Sequence, residues 1–205
     1  MKNFDKIFFG FLIGFAFPFI LVFLSALLWF FIDKNESRVL IYPVTGLLFG
    51  LLIDFKYLKR WVNKRYELAV WFIILIYLIY NIGMYGFFMG FPVFNVLLGL
   101  IAGYYFGKRV CSKNIKSEMV PKIINQVSFF TGLIMALICI SSGLIALLDN
   151  YTGNTIQGML GLGFEVTKEM ILTIIIAGGL SLIAAEYFIT RLIMQKTIRL
   201  NNKAC

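Results

Sequence analysis

From Ile7 to Ile32 the chain carries no charged side chain. An α-helix needs only ~20 residues to cross a hydrocarbon core of ~30 Å, so this run is long enough to span it. In that solvent every backbone N–H and C=O must be paired internally, which leaves helices and closed barrels. The run therefore narrows the available folds more than any motif in the chain. Lys2 and Lys6 precede it, as in a secretory signal. It is too long for a signal's apolar core, however, and no small-residue cleavage site follows, so it reads as a retained first helix.

Five further apolar segments follow. Spans are expected near 7–32, 39–54, 68–84, 91–107, 123–148 and 169–192. The chain is 60% hydrophobic and 14% charged over 205 residues, against about half and a quarter in soluble domains. No polar linker divides it. The expected fold class is all-α: one integral membrane domain over 1–205, a compact bundle of six transmembrane helices. Pro43, Pro92 and Pro121 fall at span starts, where a missing N–H costs nothing. Pro18 lies inside the first span and is expected to kink it.

Charge sets an expected orientation. Sixteen of the nineteen Lys and Arg fall in the N-terminal arm, after spans two and four, and at the C-terminal end. The opposite side holds Lys34, Arg38 and Lys168 against Asp33, Glu36, Asp149, Glu165 and Glu169. The positive-inside rule then puts both termini in the cytoplasm of a plasma-membrane protein. The net charge of +9 reads as contact with anionic lipid at the inner face, not as nucleic-acid binding.

Three stretches repeat one pattern. Pro43–Arg60 reads PVTGLLFGLLIDFKYLKR, Pro92–Arg109 reads PVFNVLLGLIAGYYFGKR, and Ser181–Arg191 reads SLIAAEYFITR. Each apolar segment runs into aromatics and ends on a basic residue, which suggests a pseudo-repeat of three helical hairpins. Steps of four place Gly46, Gly50 and Asp54 on one face. The same steps select Asn95, Gly99 and Gly103 in the second copy, and Ala177, Ser181 and Ala185 in the third. Small residues let membrane helices approach closely, so spans two, four and six are expected to pack through these faces.

Polar groups inside a membrane are expensive and mark candidate sites. Asn81 and Asn95 could meet a solute, or bond a neighbouring helix. Span five carries a small and polar stripe, Asn125, Ser128, Gly132, Met135, Cys139 and Ser142, which could line a solute path or equally form a packing face; Asn125 and Ser128 are its substrate-path candidates. Asp54 and Glu186 are candidates for an ion or proton relay, with interfacial ion pairing as the plainer reading. The connection 149–168 is rich in glycine among apolar residues. Gly158, Gly161 and Gly163 make it a candidate outer lid, or else a static interfacial cap.

The chain has no histidine, which removes the commonest general base and transition-metal ligand. Cys111, Cys139 and Cys205 match no metal spacing, and no phosphate-binding loop or nucleophile elbow is present. No catalytic residue, metal or cofactor is expected. The expected role is small-solute transport or membrane-embedded capture. The alternatives are a non-catalytic subunit of a larger membrane complex, which would need a membrane or cytoplasmic partner, and an enzyme acting on lipid. Six helices, a small basic chain and termini inside resemble the substrate-binding subunits of vitamin transporters of the energy-coupling-factor type. The first span, rich in phenylalanine, departs from that family's alanine-rich coupling helix.

Overall fold

A computed structural model describes residues 2–88, 91–161 and 163–202. All regular structure among them is helical, with no strand. The helices are α1 (Lys2–Leu28), α2 (Ile41–Asn63), α3 (Val70–Phe87), α4 (Val96–Ser112), α5 (Val120–Leu148), α6 (Thr152–Leu160) and α7 (Lys168–Asn202). Five segments, centred on α1, α2, α3, α5 and α7, are long and apolar enough to cross a membrane. The segment expected as a span at 91–107 has a different shape. Pro92–Asn95 forms a 3₁₀ turn, and the α-helix after it has 17 residues. At 1.5 Å per residue that helix is about 26 Å long. By contrast, α7 has 35 residues, about 52 Å by the same rise and well beyond a bilayer's apolar thickness.

The chain forms two compact units, Met1–Tyr80 and Asn81–Cys205. In the first, α1 continues through Pro18 and ends in a π turn, Trp29–Asp33. It packs against α2 in antiparallel register. A Cβ on Gly50 would strike the Pro18 backbone, one on Gly46 would strike the Leu21 carbonyl, and Gly14 faces Leu58 and Asp54. The face expected from Gly46, Gly50 and Asp54 is the packing face here, and all three are buried. Ile13, Ala16 and Ile76 form the core. Trp61 stacks at 4.8 Å on Phe17 and lies 5.4 Å from Phe72. In the 64–69 connection the Tyr66 hydroxyl donates to Asp5 Oδ2 at 3.3 Å. Burial raises the Tyr66 phenol to about 12.

In the second unit α7 packs against both α4 and α5, and α4 is buried at nine positions. Its glycines face α7 in order. Gly99 meets Glu186 and Thr190, Gly103 meets Thr190 and Met194, and Gly107 meets Met194 and Thr197. Both numbers rise together, so α4 and α7 run parallel. A Cβ on Gly103 would sit 2.6 Å from the Thr190 carbonyl oxygen, so the two backbones touch there as small residues allow. Helix α5 runs antiparallel to α7, with Gly132 near Tyr187 and Gly143 against Ile175. Val110, Ile124, Val127, Met194 and Ile198 close the core where these three helices meet.

The third copy of the repeat does not use its aligned face. Ala177 and Ser181 are exposed, and α7 instead presents Glu186, Thr190, Met194 and Thr197 to α4. The shared letters align Gly99 with Ser181, whereas packing sets Gly99 against Glu186 and Thr190. A sequence repeat fixes helix direction and composition; the axial slide between two helices depends on which ridges fit which grooves.

Candidate functional site

The register of α4 on α7 has a geometric consequence. Gly99 lies in the first turn of α4 and faces Glu186, near the middle of α7. Beside the first half of α7 there is therefore no α4. A half-open cavity of about 430 Å³ occupies that space. Helix α7 lines it with Ile171, Ile174, Ile175, Gly178, Gly179 and Leu182. The facing wall is Cys139, Ser142, Gly143, Ile145 and Ala146 of α5. Phe91, Pro92 and Val93, leading into α4, line it with Tyr85 of α3.

Helix α6 covers part of this space with Thr152, Thr155 and Ile156. Its start is held by Asp149. Asp149 Oδ1 accepts from the Tyr151 amide at 3.0 Å, and Oδ2 accepts from the Thr152 hydroxyl at 3.1 Å. An aspartate bonded to the amide two residues on is a common way to turn the chain into a helix. Gly153 packs against the Val166 carbonyl, 2.9 Å from where its Cβ would be. This close approach folds 163–167 back under the helix start. Gly161 ends α6 at φ +61 in the left-handed region that glycine tolerates, its N–H bonded to Gln157 O. Of the three lid candidates, Gly158 is inside α6, Gly161 caps it and Gly163 follows; none lines the cavity.

The other candidates lie elsewhere. Asn95 and Asn81 are both buried and bonded to each other. Asn95 Nδ2 donates to Asn81 O at 2.9 Å and to Asn81 Oδ1 at 3.1 Å. Ser128 is buried and Asn125 is exposed. Only Cys139 and Ser142 of the α5 stripe reach the cavity. From α4's first turn a polar seam crosses the packed core. Thr131 donates to the Thr190 hydroxyl at 3.0 Å, and Thr190 donates to Gly99 O at 3.3 Å. Glu186 is buried beside them, its carboxyl against Gly99. Among the described residues no hydrogen-bond partner reaches Asn95 Oδ1 or Ser128 Oγ. Asp54 belongs to the other unit, buried against α1, with Oδ1 also lacking a partner among the described residues.

Two cations the sequence places at a lipid interface are buried instead. Lys108 Nζ donates to Asn201 Oδ1 at 3.1 Å, and Arg109 Nη1 donates to the Tyr105 hydroxyl at 2.9 Å. Arg191 Nη1 makes the matching bond to Tyr187 at 3.1 Å. The shared Tyr-Phe-x-x-Arg letters of the repeat thus give the same i, i+4 bond twice. Sequence reasoning missed Tyr85, Asp149, Thr152 and Thr155 as cavity residues. The signal available was the Asp149–Thr152 spacing, a helix-start pattern inside a supposed loop.

Comparison of the chain with known protein families, with curated proteins and with solved structures finds no match.

Proposed function

We propose that this chain is a polytopic plasma-membrane protein that captures or transports a small, largely apolar solute, taking it into the cavity between α5 and α7. The cavity carries the reading. Its volume falls in the ~300–1,000 Å³ range of small-molecule sites, and its wall is apolar with a few hydroxyls, one thiol and one carboxylate. Sixteen of nineteen basic residues on one side support an orientation with both termini cytoplasmic. In that orientation Asp149 and α6 face outward, so the cavity opens toward the outer half of the membrane. The 3₁₀ turn and α4 together supply the sixth crossing, displaced toward the inner face.

Native mass spectrometry of the gently extracted protein tests this. Gly178 lines the cavity with nothing within 4 Å of a built Cβ, so Gly178→Leu puts a branched side chain on the cavity wall at a position where its Cβ meets no atom. The wild type is expected to carry a small-molecule adduct that Gly178→Leu lacks. No adduct on the wild type, or an equal one on both, contradicts the proposal.

A further inference from the structure

The cavity's lining has one charged residue among its described members, Asp149. Everything else there is aliphatic, aromatic or neutral polar. The carboxylate sits where α5 ends and α6 begins, at the rim of the apolar space. Each of its oxygens accepts one bond from the start of α6. A carboxylate offers about four lone-pair sites, so Asp149 keeps acceptor capacity for a ligand. The stretch of sequence that holds it carries the same sign. Glu165 and Glu169 lie in the same stretch, with Lys168 as the one base between Asp149 and Glu169. In a chain of net charge +9 this is the negative end, and a cleft of one sign with low-dielectric walls concentrates the opposite ion.

Resting on the capture reading, we infer that the solute is a lipophilic cation: an apolar body seated among Ile171, Ile174, Ile175 and Leu182, with its positive charge toward Asp149. Asp149 is exposed at the rim, and an anion of the same shape meets a like charge there, which is repulsive. A neutral analogue gains the apolar contact alone. Recognition here divides between two parts of the site. The α5–α7 wall selects size and apolarity, and the α5–α6 corner selects charge.

Equilibrium dialysis of the purified full-length protein against labelled tetraphenylphosphonium tests the inference, with triphenylphosphine oxide as neutral competitor and tetraphenylborate as anionic competitor. Saturable binding is expected that Gly178→Leu abolishes. The neutral competitor is expected to be at least tenfold weaker than unlabelled tetraphenylphosphonium, and the anion weaker still. Asp149→Asn, whose side-chain oxygen still accepts from the Tyr151 amide, is expected to weaken binding at least fivefold. Glu118→Gln, in the turn before α5 and outside the lining, is expected to leave it unchanged. If Asp149→Asn binds as wild type, or the oxide competes equally, the cationic class is overturned while capture stands through the Gly178→Leu loss. Binding that is indifferent to Gly178→Leu overturns both, and absent binding overturns the cationic class while capture is decided by the adduct measurement.

Discussion

The two ends of the α4–α7 unit use the same helices for opposite purposes. At one end α4 packs on α7 through Gly99, Gly103 and Gly107, and α5 joins them around Met194 and Val110. At the other, α5 and α7 continue without α4 and enclose a cavity. The polar groups divide accordingly. In the packed end Thr131, Thr190 and Gly99 O bond one another across helices, whereas the cavity's Asp149 carboxylate and Thr152 hydroxyl bond locally at the start of α6. A short helix set deep against a long one is enough to produce both, because the long partners overrun it.

The sharpest way to break this comparison is to separate α4 from α7. Gly103→Leu forces a side chain into the Thr190 backbone, which cannot yield as a flexible side-chain tip would. A loss of about 3 kcal/mol is expected from such overpacking, read as a large fall in folded yield and in thermal midpoint in detergent. Next is the seam. Thr190→Val keeps the volume but removes the hydroxyl that joins Thr131 to Gly99 O. Unfolding measurements are expected to show about 1–2 kcal/mol lost, with ligand binding retained. Gly178→Leu belongs to the other end and is expected to behave in reverse. Its stability changes by less than about 1 kcal/mol, in the favourable direction for a helical glycine, while binding disappears.

The smallest effect lies in the unit of α1 and α2. Burial raises Tyr66 from the ordinary 10 to about 12. The folded state therefore holds this proton more tightly than the unfolded chain does. Its contribution is constant below pH 10 and declines as pH rises from 10 through 12. Difference absorbance between wild type and Tyr66→Phe should show no phenolate near pH 10 and ionisation only toward pH 12.

Much of the fold was legible from the letters. Apolar runs gave the helices, prolines gave their starts, and the Gly46–Gly50–Asp54 face is the surface α2 presents to α1. Three things were not. The axial slide of α4 on α7 depends on side-chain fit, so Ala177 and Ser181 were assigned to packing although they are exposed. Lys108 and Arg109 look like interfacial cations until Asn201 and Tyr105 supply their partners. The cavity itself is an absence, created where α4 begins too late to fill the space. It left two traces, the spacing of Asp149 and Thr152 and the outer end of the α5 stripe at Cys139 and Ser142.

One measurement addresses the difference between the two ends directly. In a background with Cys111, Cys139 and Cys205 replaced, Ser142→Cys sits on the cavity wall and Ser128→Cys in the packed end of the same helix. The reaction rate of each thiol with a small methanethiosulfonate is measured in the membrane. Ser142→Cys is expected to react at least tenfold faster, and adding Gly178→Leu is expected to reduce the difference. Equal rates at the two positions, or a Ser142→Cys rate untouched by Gly178→Leu, would contradict an open cavity between α5 and α7.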